Sequence, residues 1–185
     1  MGLLRKVYFF LLDIAQTLIL AAAVFVVVYM FLFRPFEVKG ESMYPNYHDS
    51  EYLITNLISL RFSNPNLGDV VVFKAPNDPD KDFIKRVIGT AGDEINVEDG
   101  KVYLNEKLLD ESAYLKSEVK TYGGSFLKEG EPVTVPEGHF FVLGDNRSFS
   151  SDSREWGFVS KDNIIGISLF VYWPVKSIGV INNPY

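Results

Sequence analysis

Residues 14–33 read IAQTLILAAAVFVVVYMFLF, twenty residues without a charge. As an α-helix at about 1.5 Å per residue the run covers about 30 Å, one bilayer core. A chain of 185 residues builds no interior that surrounds such a helix on all sides, so a buried core helix is disfavoured. A cleaved signal peptide has a shorter apolar region followed by a small-x-small site. Here Arg34-Pro35-Phe36 follows instead. The run therefore reads as an uncleaved transmembrane anchor over 7–33, with Asp13 setting Val7–Leu12 apart and the helix beginning near the interface. Arg5 and Lys6 precede the span, and Arg34 and Lys39 follow it closely, so the flanking bias is slight. It favours 1–6 as a short cytoplasmic N-terminus and 34–185 as an extracytoplasmic domain.

Residues 34–185 suffice for one cored domain. Pro35 ends the helix and biases Arg34 toward extended backbone. Seven segments read as short strands: 51–56, 69–74, 82–88, 94–97, 101–105, 140–143 and 167–173. Asp99-Gly100 between Val97 and Val102 signals a tight hairpin. No stretch after residue 34 keeps helical periodicity for three turns. The predicted class is mostly β, a set of small packed sheets or a barrel-like domain behind one helix. Residues 112–136 are polar and contain Gly123-Gly124 and Gly130, which predicts an excursion or loop hairpin.

The net charge of −6 argues against nucleic acid as a partner. With no cysteine there is no disulfide and no Cys-ligated metal, and two histidines exclude a three-His site. The reading has no metal and no cofactor, and takes the chain as a monomer. Several motifs fail on inspection. Ser117-Glu118-Val119-Lys120 fits S-x-x-K, but neither S-D-N nor K-T-G follows. Gly40-Glu41-Ser42 opens like a nucleophile elbow, but residue 44 is Tyr. Asp78, Asp80 and Asp82 open like a calcium loop, yet Phe83 stands where Gly is required, which leaves a solvated acidic turn. Asn146-Arg147-Ser148 is a glycosylation sequon by pattern only, and a triad through His48 or His139 has little to support it.

Three segments carry more. Val38-Lys39-Gly40-Glu41-Ser42-Met43-Tyr44-Pro45 places a serine in a Gly/Pro-shaped turn close to the anchor. It reads equally as a turn serine bonding its own backbone. In Asp82–Ile88, alternation puts Phe83, Lys85 and Val87 on one face and Ile84, Arg86 and Ile88 on the other. One of the two cations must sit among apolar neighbours, and lysine is the one whose pKa falls usefully there. An edge strand with two solvated charges is the alternative. Residues 143–154, LGDNRSFSSDSR, form a dense polar turn after an apolar strand. It suits the orienting of another group, or merely bonds to itself.

Taken together and in order, these segments resemble the bacterial type I signal peptidases, membrane serine proteases with a Ser–Lys dyad. The resemblance takes in the anchor, GESMYP at 40–45, LGDVVVF at 67–73, FIKRVIGTAGD at 83–93 and FVLGDNRSFSSDSREWGFV at 141–159. It implies Ser42 as nucleophile, Lys85 as general base and Ser150 as a hydroxyl that hydrogen-bonds the lysine amine. It also implies a structural network of Asp145, Asp152 and Arg154, with Asp152 and Arg154 paired. Two positions depart from the pattern. Gly40 stands where some relatives carry an oxyanion-binding serine, which leaves backbone N–H groups such as that of Ser42 for that role. Asn46 stands where threonine is common. The resemblance implies preprotein signal peptides as substrate, cut after small residues at the outer face of the cell membrane, with the lipid bilayer as the other partner. An extended substrate would add beside residues 38–42 and 82–85, and Val38, Tyr47 and Ile84 are the expected pocket residues. Two alternatives remain. A self-cleaving repressor-type protease would lack the anchor and carry a DNA-binding module. An inactive membrane-anchored β-module assisting export should have lost Ser42 or Lys85.

Overall fold

The computed structural model describes residues 2–185; Met1, part of the expected cytoplasmic segment, lies outside the described residues. Helix α1 runs over Leu3–Leu32, so it starts before the expected anchor boundary and stops one residue short of it. Phe33 already belongs to strand β1, Phe33–Glu37. Asp13 does not interrupt the helix; its carbonyl accepts a hydrogen bond from the Thr17 hydroxyl one turn on, at 2.8 Å. Leu3–Tyr29 is long and apolar enough to cross a membrane, and none of its hydrophobic window is buried against the rest of the chain.

Beyond α1 the regular structure of the described residues is mostly β, as predicted, joined by turns, loops and short helical turns. Strands β2 (Tyr52–Asn56), β3 (Val70–Ala75), β4 (Asp78–Gly89), β5 (Glu94–Glu98), β6 (Lys101–Leu104), β7 (Lys107–Leu108), β8 (Val133–Thr134), β9 (His139–Leu143), β10 (Val159–Ser160), β11 (Ile164–Trp173) and β12 (Gly179–Val180) build two sheets. The larger runs β1-β2-β11-β3-β4-β9-β10, with β12 on β11; the smaller runs β7-β6-β5-β8. Neighbours are antiparallel throughout, as short connections require. Between β5 and β6, Asp99 and Gly100 both take positive φ (51° and 75°), the left-handed pair that a two-residue hairpin of the expected kind demands.

Two expectations change. Strand β4 begins at Asp78, not Asp82. The three aspartates are therefore not a turn: the turn is Pro76-Asn77, and the acids lie on an exposed strand extension. Lys74–Asp82 and Lys81–Asp78 ion pairs, each at 2.8 Å, flank a register shift in the β3–β4 ladder that accommodates Pro79. Residues 112–136 are irregular up to residue 132, as an excursion would be, but they are not solvated throughout. Leu127 and Val135 pack with Ile88, Ile95, Val97 and Phe141 in a core cluster between the sheets, and Val133-Thr134 completes the small sheet.

Strand β4 is the interior strand that sets the site. It pairs with β3 through Val71↔Lys85 and with β9 through Arg86↔Leu143. Val70, Val72 and Ile84 face one core cluster, with Val38, Met43 and Leu53; Val71, Phe73 and Val87 face another. Both faces of the strand around residues 84–88 are covered, so its two cations are buried together.

Candidate active site

Ser42 sits in a turn anchored at its next residue. Met43 is fully buried in the cluster with Leu53, and the Tyr44 and Tyr47 amides close the turn on the Glu41 and Met43 carbonyls (3.1 and 3.0 Å). Before it, Gly40 takes φ +83°, a conformation L side chains rarely adopt. Its N–H donates to the Asp49 carboxylate at 2.6 Å. That leaves the Gly40 amide committed, while the Ser42 N–H makes no hydrogen bond among the described residues.

Lys85 is 3% exposed. Its Nζ donates to Ser42 Oγ at 2.7 Å and to the Ile84 carbonyl at 2.9 Å, and it lies 5.3 Å from the centre of the Phe83 ring. No carboxylate pairs with it among the described residues. Burial holds its ammonium pKa down from 10.5 to about 8, against a smaller upward pull from Asp152 and Asp145. The pair is thus a hydroxyl within hydrogen-bond reach of an amine that is partly neutral near physiological pH, the geometry of an activated nucleophile.

Arg86 is buried as deeply as Lys85, so both cations are enclosed, and the alternative of an edge strand with two solvated charges does not hold. The second is tolerated because it is paired. Arg86 Nε and Nη2 donate to the two Asp145 oxygens at 2.9 and 2.7 Å, Nη1 donates to the Gly68 carbonyl at 2.9 Å, and the Tyr114 ring lies 4.2 Å away. Asn46 Nδ2 donates to the same carboxylate at 2.8 Å, tying the serine turn to it.

Residues 144–154 form a self-bonded loop. Asp152 accepts from Arg154 Nε and Nη2 at 2.8 and 2.9 Å and from the Gly144 amide at 3.0 Å, and it caps α2 (Ser153–Trp156). The Arg154 guanidinium also donates to the Arg147 carbonyl at 2.8 Å. Arg147, which the sequence did not single out, is buried on Glu111 and on the Thr121 hydroxyl and donates to the Gly144 carbonyl at 3.0 Å. The loop is stitched to the serine turn by Asn146, whose amide donates to the Ser42 carbonyl and whose Nδ2 donates to the Glu41 carbonyl, both at 3.0 Å.

Ser150 does not hydrogen-bond Lys85. Its Oγ is buried without a partner among the described residues, packed against Gly144, while the lysine amine is engaged by Ser42 and Ile84. A Cβ on Gly144 would collide with Ser150 Oγ and the Ser42 carbonyl, so this glycine permits the close approach of loop and turn.

A cleft of about 260 Å³ opens beside the pair, lined by Phe36, Val38, Ser42, Ile84, Lys85 and Phe149. Val38 and Ile84 are where the sequence expected them. Tyr47 is not: it lies buried on the other side of the turn against Arg86, and desolvation raises its phenol pKa to about 12. Phe149, 79% exposed at the rim, is a lining residue the sequence reading missed, because an aromatic in a polar turn carries no period. Of the two histidines, His48 faces Glu51 at 3.4 Å and His139 bonds the Glu137 carbonyl. Neither lines the cleft. Among the described residues no three His, Asp or Glu side chains converge as metal ligands.

Comparison with known proteins gives one answer. The family model described as "Signal peptidase, peptidase S26" matches residues 11–173. A "Probable signal peptidase I-2" from Synechocystis sp. is 35% identical over 93% of this chain and 78% of its own length. A "Signal peptidase I" from Bacillus amyloliquefaciens is 36% identical over 90% of each chain. A "Signal peptidase IB" from Staphylococcus aureus (strain MRSA252) is 33% identical over 93% of this chain and 96% of its own.

Proposed function

The chain belongs to the signal peptidase family, peptidase S26, and from that premise we propose that it cuts preproteins with Ser42 as nucleophile and Lys85 as general base. The observation that carries the reading is the 2.7 Å bond between Lys85 Nζ and Ser42 Oγ on a buried, unpaired lysine. A solvated lysine is protonated at pH 7 and accepts nothing. With its pKa near 8, about a tenth of Lys85 is neutral at pH 7, and in that form the bond reverses so that the hydroxyl donates.

Neutral Lys85 takes the Ser42 proton as Oγ attacks the scissile carbonyl. The resulting ammonium protonates the leaving amine. An acyl ester on Ser42 remains, and Lys85 then draws a proton from the water that hydrolyses it. The Ser42 amide serves as one oxyanion donor; the Gly40 amide, held by Asp49, does not. Asp145, Asp152 and Arg154 fix the loop that bears Ser150. Ser150 assists by meeting the lysine amine once substrate excludes water, since its hydroxyl lies beside Ser42 with no other partner.

The substrate is the signal peptide of an exported preprotein. Val38 and Ile84 line the cleft, and on this reading they admit only small side chains before the cut. Ser42 follows Phe33 by nine residues, at most about 30 Å of extended chain, so the cut falls near the membrane surface. In the full reading α1 anchors a monomer in the cell membrane with its N-terminus cytoplasmic and residues 34–185 outside. Cleavage of a signal-bearing precursor in detergent tests the chemistry: Ser42→Ala and Lys85→Ala should each be inactive while folded, and Lys85→Arg should be equally inactive because guanidinium is no base. Retained activity in Lys85→Arg would overturn the dyad. Protease added to intact spheroplasts should digest the β domain; full protection would overturn the orientation.

A further inference from the structure

We propose a second binding region on this enzyme: a cavity beyond Ser42 that receives the mature-side residues following the scissile bond and favours acidic ones. It rests on the reading of Ser42 as nucleophile. The cavity, of about 440 Å³, is lined by Tyr44, Pro45, Lys116, Lys120, Tyr122 and Ser148, among others. Its relation to the cleft is fixed by two chain segments that both share. The cleft uses 36–42 of the serine turn and 149 and 151 of the polar loop; the cavity uses 44–45 and 145–148 of the same two. Between them runs the seam in which the Asn146 amide is bonded to the Ser42 carbonyl and the Asn146 side chain to the Glu41 carbonyl. A peptide lying in the cleft with its carbonyl at Ser42 Oγ leaves across that seam, onto the cavity.

The charge of the cavity departs from that of the molecule. The chain carries −6 overall. In the cavity, Asp145 is spent on Arg86, and Arg147 on Glu111. Lys116 and Lys120 are exposed and make no ion pair among the described residues, with Glu118 alone opposing them. Tyr44 and Tyr122, 49% and 59% exposed, offer flat apolar faces to an extended chain. The lysines come from residues 112–136, which gives that segment a part in substrate selection as well as in the core.

The test uses the full chain in detergent micelles and two internally quenched peptides. They are identical through the first residue after the cut, and carry Asp/Glu or Lys at the next three positions. Each exposed ion pair formed should raise kcat/KM for the acidic peptide by roughly 1.5- to 5-fold, and the preference should fade in about 0.5 M salt. The double variant Lys116→Glu/Lys120→Glu should reverse the preference. It should cut a peptide that stops at the first mature residue as the unaltered enzyme does, which also shows that it is folded. Equal rates on the two long peptides with the unaltered enzyme, or an unreversed preference in a folded double variant, would overturn the proposal. Cleavage by Ser42→Ala would instead overturn the reading beneath it.

Discussion

Replacing Lys85 by Met separates the catalytic role proposed for the lysine from what it costs the fold. Met keeps the length of the stem and removes the charge. In the folded chain the ammonium pKa lies at about 8, against 10.5 for a solvated lysine, with burial as the cause. At about 1.4 kcal/mol per tenfold change, holding the protonated form inside costs the fold about 3 kcal/mol. Below pH 8 both folded and unfolded states are protonated, and the whole penalty is present. Between about 8 and 10.5 the unfolded state binds the extra proton, so stability rises with pH. Above 10.5 the penalty is gone. Met also forfeits the bonds to Ser42 Oγ and the Ile84 carbonyl, about 1 kcal/mol each and independent of this titration. At pH 7 Lys85→Met should therefore be the more stable protein by about 1 kcal/mol. At pH 10.5 it should be the less stable by about 2. The assay is urea unfolding of both proteins in the same micelles, followed by tryptophan fluorescence, to which Trp156, its ring 5.9 Å from that of Phe73, contributes. Subtracting one pH series from the other cancels groups common to both. A difference flat from pH 7 to 10.5 would refute the lowered lysine pKa, and with it the account of how Ser42 is activated.

The logarithm of kcat/KM should climb with pH and level off near 8, because in the proposed mechanism Lys85 must lose its proton to act; a limb near pH 6.5 would point to a histidine instead. Asp145→Ala strands a buried guanidinium and should lower stability by about 3–5 kcal/mol in thermal unfolding. It should also move the activity limb to lower pH, since Asp145 pulls the Lys85 pKa upward. Leu127→Ala, in a segment that reads as a polar loop, should cost about 2–5 kcal/mol by the same unfolding assay, because Leu127 is fully buried.

The elements legible in the sequence are those with a period. The anchor declares itself by length, and the strands at 52–56, 70–75, 94–98 and 139–143 by alternation or an unbroken apolar run. Asp99-Gly100 declares itself by the backbone angles it tolerates. What was illegible depends on partners distant in the chain. Pro79 reads as the end of a strand, yet β4 passes through it because a register shift leaves it unpaired. Leu127 and Val135 follow no spacing, and only the strand residues they pack against make them core. Arg86 and Asp145 stand 59 positions apart, and Arg147 and Glu111 stand 36 apart. Neither pair leaves a trace in composition. The pairing of Ser42 with Lys85 came from resemblance, and nothing in either segment alone joins them.

The two neighbouring cations of β4 show how one strand supports opposite chemistries. Both residues are 3% exposed, and burial disfavours the charged form of each. Arg86 is given a bidentate carboxylate, a carbonyl and an aromatic face, and the carboxylate outweighs burial so that its pKa rises. Lys85 is given a hydroxyl, a carbonyl and the face of the Phe83 ring, with both nearby aspartates already satisfied by arginines. Had Asp145 or Asp152 been left unpaired, it would be a candidate to hold Lys85 protonated. The arginine pairs therefore do more than rigidify the loop. With the two carboxylates that raise the Lys85 pKa already paired, burial stays the larger influence and the amine titrates at about 8. On this reasoning the Arg–Asp pairs and the proposed dyad form a single electrostatic unit, in which an arginine removed from the network is felt at the lysine as a released negative charge.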